Sequence, residues 1–245
     1  MLPDDDALCT FCWAIRNDPR NLYRTVVDLP VRSSYLLYSS PRFVVIPEIG
    51  SFEPGYLIVA PKAHILSFGH LETTYDVELA LVLRDVAEWV VANFRSNCIM
   101  FEHGPVSPSQ RGGACTDHAH LHVAPVPDGI DLRQSLEAHL RVRRVPEWLP
   151  AAREQVARQM PYLFLRHTDA SMWICDAPQA RSQEFRRDLV LQLGLDDIWD
   201  WAAFPGSRHI VKTIQIAETS PLDTDRAQPG TCHADSVRST RRDTR

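Results

Sequence analysis

The stretch His118-Ala-His-Leu-His-Val-Ala-Pro125 sets three histidines at strict alternation inside an otherwise apolar run. In an extended strand successive side chains point to opposite faces. His118, His120 and His122 therefore share one face, while Ala119, Leu121 and Val123 take the other. One face belongs to a core and the other is free for chemistry. Imidazole changes charge near neutral pH and serves as nucleophile, proton carrier or metal ligand. A solvated strand face is the plain alternative. The preceding Gly112-Gly-Ala-Cys-Thr-Asp117 argues against it, because paired glycines let a ligand approach the backbone closely.

Upstream of this stretch, Ser34–Tyr38, Arg42–Ile46 and Tyr56–Ala60 are short aromatic and β-branched runs separated by turn residues, the signature of an antiparallel meander. Trp13 to Tyr23 reads as irregular or briefly helical. The third strand runs into Pro61-Lys-Ala-His64, so His64 leaves the sheet where a loop side chain can turn back toward a site. Glu72 to Asn97 reads as a helix capped by Thr73 or Thr74, with Leu79, Leu83, Val86, Val90 and Phe94 at three- and four-residue steps. Cys98–Glu102 is the next strand, His103 to Asp117 a long loop, and Asp131 to Arg144 a second amphipathic helix ending before Pro146. Strands and helices in this order, without βαβ alternation, predict an α+β fold on an antiparallel sheet.

Beyond Pro146 the pattern changes. Trp148 to Met160 reads as a helix, Tyr162–Leu165 and Met172–Cys175 as a hairpin, Ser182 to Leu193 as a helix ended by Gly194, and Ile210 to Ile216 as a strand. The expected division is a catalytic domain over 1–145, a smaller α/β appendage over 146–218 that forms a lobe or extends the first sheet, and a disordered polar tail over 219–245.

The chain has 245 residues, 44% apolar and 23% charged, with a net charge of −5. That length buries a core without disulfides. The charge gives no general attraction to nucleic acid, so an anionic ligand needs a local site. No apolar run approaches the roughly 18 residues of a membrane span. Met-Leu-Pro-Asp-Asp-Asp6 is acidic where a secretory signal is basic and then apolar. The expected location is the cytoplasm. Cysteines 9, 12, 98, 115, 175 and 232 then read as reduced thiols or metal ligands.

Cys9-Thr-Phe-Cys12 has the spacing with which one turn offers two thiolates to a tetrahedral zinc. A redox pair is the competing reading, but that use places the motif between a strand and a helix of a βαβ unit. The remaining ligands would be His118 and a loop histidine, His64, with His70 and His103 as alternatives. Four protein ligands make a closed, structural site. His120 is then free on the same face to attack a phosphorus centre, and His122 to donate to a phosphate oxygen or leaving group. Gly113 offers backbone N–H groups to the same phosphate, with Cys115 beside it. For a nucleotide ligand, Phe43 or Ile46 is the expected packing surface of the base. His167 and His209 are isolated, and Arg181, Arg186 and Arg187 read as a solvated helix face that is also able to assist a phosphate-bearing substrate.

His-x-His-x-His followed by apolar residues, after a glycine-rich loop and Pro61-Lys-Ala-His64, resembles the histidine triad (HIT) superfamily over about residues 9–125. The resemblance implies a HIT-like antiparallel sheet with flanking helices and a transiently nucleotidylated middle histidine, His120. It implies zinc held by Cys9, Cys12, His64 and His118. Phe101-Glu-His-Gly104 is similar to the Phe-Glu-Asn segment of galactose-1-phosphate uridylyltransferase, with His103 in place of asparagine. Phosphate contacts that relatives make with serine or glutamine fall on Ala114 and Cys115, and Arg111 is placed to meet a polyphosphate or to offset Glu102. His122 matches the third histidine of the hydrolases rather than the glutamine of the transferases.

The expected function is a nucleotide hydrolase or nucleotidyltransferase acting at the α-phosphate of a dinucleoside polyphosphate, nucleotide sugar or phosphoramidate. Its partner is then a nucleotide-containing small molecule, and relatives commonly pair as homodimers. The alternative is a non-catalytic nucleotide or RNA-end binding module, or an RNA-processing factor whose C-terminal lobe carries the partner contacts.

Overall fold

The computed structural model describes residues 8–27 and 34–222. Two short helices come first, α1 (Thr10–Ile15) and α2 (Tyr23–Val26). The meander follows as β1 (Tyr38–Ser39), β2 (Phe43–Pro47) and β3 (Leu57–Pro61). After α3 (Asp76–Phe94) come β4 (Asn97–Gly104) and β5 (Leu121–Val126). The remainder is α4 (Leu132–Glu137), β6 (Val142–Val145), α5 (Trp148–Ala157), β7 (Tyr162–Arg166), β8 (Met172–Asp176), α6 (Glu184–Gln192) and α7 (Ser207–Thr219).

These strands form one eight-stranded sheet in the order β1-β2-β3-β5-β4-β7-β8-β6. Every pairing among them is antiparallel. The fold is α+β, as the alternation of patterns predicts. β7 pairs with β4 through Phe101↔Leu165 and its neighbours, so the strands beyond Pro146 extend the first sheet.

Helices cover both faces, and the period-2 rule explains which residues meet them. From β2, Phe43 and Val45 join Leu121 and Val123 of β5 and the buried stripe of α3, which is Leu79, Val82, Val86, Trp89 and Val90. Val44 and Ile46 point to the other face, where they meet Ile210 and Ile214 of α7. Further along that second face, Phe101 of β4 and Leu163 of β7 pack against Phe185, Leu189 and Val190 of α6. Two apolar clusters thus share the second face with a gap between them.

Several expected elements differ. The strand over Ser34–Tyr38 is a two-residue stub, β1. α3 is shorter than Glu72–Asn97, and neither threonine caps it, because Thr73–Tyr75 forms a separate 3-10 turn. The helix expected over Asp131–Arg144 stops at Glu137, and Val142–Val145 becomes edge strand β6 by completing the exposed side of β8. The strand expected over Ile210–Ile216 is helix α7, whose buried Ile210, Thr213 and Ile214 follow helical i, i+3, i+4 spacing. Thr219, where the tail was expected to begin, ends that helix. Residues 223–245 of the expected tail, with Cys232, lie outside the described residues.

Candidate active site and metal centre

β5 begins at Leu121, so of the three histidines only His122 is a strand residue. His118 and His120 lie in the run-in that leads to it. The alternation nevertheless holds, since all three are buried on one side while Ala119, Leu121 and Val123 join the core on the other. The Ala119 N–H donates to Ile65 O at 2.6 Å, which ties this run-in to the segment after His64.

Cys9, Cys12, His64 and His118 offer ligand atoms that all lie within 4.8 Å of one another. Cys9 is the N-cap of α1 and Cys12 lies one turn along it, so a single helical turn presents both thiols. The sulfur of Cys9 is 3.4 Å from His118 Nδ1 and that of Cys12 is 3.4 Å from His64 Nδ1. Tetrahedral zinc with ordinary Zn–S and Zn–N bonds separates a sulfur and a nitrogen by about 3.5 Å. The donor set and its spacing therefore fit zinc. His118 Nε2 donates to the Pro61 carbonyl at 2.8 Å, which leaves Nδ1 unprotonated toward the thiols, the usual outer-shell support of a ligand histidine. Hydrogen bonding from Cys12, with His118 beside it, holds the Cys9 thiol down to about 3. Of the alternative ligands, His70 is bonded to Ser67 Oγ at 2.9 Å, and His103 lies on β4 rather than in the loop expected for it.

The gap between the two apolar clusters is a cavity of about 60 Å³ lined by His103, Gly113, Cys115, His120 and His122, with Ile46 on its apolar side. Phe43 stays in the opposite core against Phe68. Arg111 is not in the lining; it pairs with Asp117 at 2.8 Å and donates to Ala114 O. Glu102 is likewise satisfied elsewhere, accepting from the Phe68 N–H and the Tyr162 hydroxyl at 2.7 Å each.

His120 Nδ1 is 2.7 Å from the His118 carbonyl. A carbonyl only accepts, so Nδ1 carries the proton and Nε2 keeps its lone pair. Phe11, from the turn between the two cysteines, stacks on this ring at 4.9 Å and 27°. Burial pushes His120 down to about 4, and burial with His120 nearby pushes His103 down to about 3, so both rings are neutral near pH 7. His122 is displaced downward for the same reason. Its Nδ1 meets the Tyr56 hydroxyl at 3.0 Å, and its ring stacks on Phe101 at 4.5 Å.

Neither a protein-family model nor a curated protein matches this chain. Solved structures similar to it include histidine triad proteins. A zinc-bound histidine triad family protein from Mycobacterium smegmatis is 20% identical with a TM-score of 0.38, covering 62% of this chain and 96% of that one. A HIT family hydrolase from Clostridium thermocellum is 18% identical at 0.35, over 54% and 97%. Yeast Ap4A phosphorylase Apa2, in complex with Ap4A, is 12% identical at 0.35 over 59% of each chain.

The C-terminal segment brings Gln183 and Trp201, which carry no functional signal in the sequence, together with Arg186, which reads there as a helix-face residue able to assist a phosphate-bearing substrate. Gln183, Arg186 and Trp201 complete the cavity wall. Arg186 is buried rather than part of a solvated face. Its guanidinium bonds Glu48 at 3.2 Å and the Gly50 and Trp199 carbonyls at 2.8 and 2.9 Å. Burial raises Glu48 to about 7 and Arg186 opposes that shift. The sequence signal was available in part. Arg186 falls between Phe185 and Leu189, on the apolar side of its helix. Arg181 instead pairs with Glu184, and Arg187 stacks on Trp199.

Gly112 and Gly113 adopt φ of 56° and 81°. A Cβ on Gly113 would lie 2.5 Å from the Arg181 carbonyl oxygen. The close approach that glycine permits here is to the chain's own C-terminal segment, although Gly113 also lines the cavity. Among the described residues no helix is long and apolar enough to cross a membrane.

Proposed function

We propose that this chain is a zinc-stapled enzyme of the histidine triad type that hydrolyses or transfers a nucleoside monophosphate group at its α-phosphorus. The observation that carries this reading is the His120 Nδ1–His118 carbonyl bond. It leaves a neutral imidazole with its lone pair on Nε2, in a cavity wall beside a second neutral imidazole. His120 Nε2 forms a bond to phosphorus as the bond to the leaving group breaks, and the leaving group departs with that electron pair and takes up a proton from solvent. The positive charge on the nucleotidylated ring is met at Nδ1–H by the His118 carbonyl. Water or another acceptor then attacks phosphorus and releases its proton to solvent, the P–N bond breaks, and the pair returns to Nε2. With the Tyr56 hydroxyl donating to Nδ1, His122 presents Nε2–H to a phosphate oxygen or the leaving group. His103, Gly113 and Cys115 line the same space as phosphate contacts.

Cys9, Cys12, His64 and His118 would hold the zinc. With four protein ligands it supplies no chemistry at phosphorus and fixes α1 and the His64 loop against His118. Yeast Ap4A phosphorylase is described in complex with Ap4A and with AMP, and a nucleotide conjugate is the substrate class proposed here.

Trapping tests the reading. The chain is incubated with a dinucleoside polyphosphate, a nucleotide sugar and a nucleoside phosphoramidate, and its intact mass is measured. A nucleotidyl adduct absent from His120→Ala is expected. Nucleotide binding with neither adduct nor turnover would instead make the chain a binding module.

A further inference from the structure

Arg186 is 1% exposed, and all three nitrogens of its guanidinium have partners. Nε donates to the Trp199 carbonyl, Nη1 to Glu48 and Nη2 to the Gly50 carbonyl. Gly50 makes room for this contact, since a Cβ there would lie 2.6 Å from Nη2. The cation is thereby fixed 5.7 Å from the centre of the Tyr56 ring and 5.6 Å from that of Phe52, within reach of a cation–π contact. Stability alone does not account for it, because apolar groups of similar volume often replace a buried ion pair at no loss. Nor is the pair fully neutral. Burial raises Glu48 to about 7 against the pull of Arg186, so near neutral pH a share of the chains holds an uncompensated guanidinium here.

Tyr56 connects that charge to the histidines. Its hydroxyl meets His122 Nδ1 at 3.0 Å. Burial raises the phenol and Arg186 opposes the rise, because a nearby cation favours the negative charge that builds on the oxygen as its proton moves toward an acceptor. The direction of this hydrogen bond decides the tautomer of His122. If Tyr56 donates, Nδ1 accepts and the ring proton sits on Nε2; if Tyr56 accepts, the proton sits on Nδ1 and Nε2 has none to offer. The other rings facing His122 are His120 at 5.0 Å, His103 at 6.4 Å and Phe101 at 4.5 Å. Burial, then His120, Arg186 and His103, oppose a positive charge on His122. Of those three groups Arg186 alone is charged near pH 7, since burial keeps both histidines neutral there.

We infer that Arg186 is a positioning residue for His122. Its guanidinium, set against Tyr56 by Glu48 and two carbonyls, directs the Tyr56 hydroxyl to donate to His122 Nδ1 and so keeps the His122 proton on Nε2. This deepens the reading of His122 as a donor to phosphate or leaving group and rests on it. It also gives the C-terminal segment a part in the chemistry, through a residue beyond the stretch that the histidine motif organises.

Arg186→Met alone would strand Glu48 without its partner, so the comparison is made within Glu48→Gln, where Arg186 is the one charge that changes. Imidazole 15N spectra at pH 7 read the tautomer directly. His122 is expected in its Nε2–H form in the wild type and in Glu48→Gln. Adding Arg186→Met lowers the ratio of Nε2–H to Nδ1–H about fivefold, whereas adding Arg186→Lys preserves it. Kinetics give a second readout. Within Glu48→Gln, Arg186→Met lowers kcat about fivefold, and introducing Tyr56→Phe into both proteins abolishes that difference, because Arg186 acts through the hydroxyl. An unchanged tautomer ratio, or a kcat cost that persists with Tyr56→Phe, would overturn the positioning role while leaving hydrolysis intact. The spectra need no turnover, so a chain that shows neither adduct nor turnover loses the hydrolysis reading while the effect of Arg186 on the His122 proton is still decided.

Discussion

A carbonyl 2.7 Å from His120 Nδ1 fixes a proton that a free imidazole shares between its two nitrogens. Tyr56 plays the matching part for His122, with burial holding the phenol protonated far above its ordinary range. Tyr56→Phe removes that hydroxyl and keeps the ring that packs on Phe52. In the proposed reaction kcat is expected to fall about tenfold for the loss of one such bond; steady-state kinetics at saturating substrate measure it, and an unchanged kcat would remove Tyr56 from the mechanism. Glu102 gives a prediction about stability. Burial raises its carboxyl to about 7 against an ordinary 4.5. Between those values the folded chain binds the extra proton, so stability from this group falls as pH rises from about 4.5 to 7 and is lowest above it. Glu102→Gln removes the dependence. Urea unfolding at pH 5 and pH 8 should show the wild type losing on the order of 3 kcal/mol relative to the variant across that interval. Parallel profiles would show that Glu102 titrates normally.

At the scale of elements, α1 owes its place to chemistry more than to length, for a six-residue helix has little stability of its own. Its Cys9 cap and Cys12 converge on His64 and His118, which come from two other segments. Cys12→Ser is expected to reduce bound zinc below one half equivalent per chain by elemental analysis and to lower the melting temperature. Full zinc occupancy in that variant would refute the four-ligand cluster. This part was legible in sequence because both spacings are short and chemically unambiguous: one helical turn for the cysteines and strict alternation for the histidines. The elements beyond Glu137 were less so. Arg-Val-Arg-Arg-Val145 fits a helix end as well as an edge strand, and only the open side of β8 decides between them. Ile210 to Ile216 is β-branched enough to suggest a strand, and its burial against Val44 and Ile46 makes it a helix. Both outcomes depend on partners far away in sequence, which local propensity does not register.

At the scale of the molecule, the cavity is lined by His103, His120 and His122 with residues of α1, α2 and β2, and by Gln183, Arg186 and Trp201 of the C-terminal segment. The histidine motif therefore revealed one wall and concealed the second, since Gln183, Arg186 and Trp201 carry no motif of their own. The glycine loop is where the two walls meet. Gly113→Ala brings a Cβ against the Arg181 carbonyl at a φ of 81°, so it should lower both melting temperature and kcat/KM. Gly129→Ala is the control: its φ is 92°, but nothing lies within 4 Å of the added carbon, and its cost is backbone strain of about 1 kcal/mol. Equal losses in the two variants, read by thermal melts and initial rates, would show that contact across the loop contributes nothing. The strand order has a last consequence, for the company this molecule keeps. A sheet exposes unpaired backbone at its two edge strands and is prone to grow there by recruiting other chains. Here one border is β1, only two residues long, and the other is β6, where the exposed Arg143 and Arg144 would set like charges side by side against a second copy. Both borders discourage end-to-end polymerisation of the sheet that carries the site.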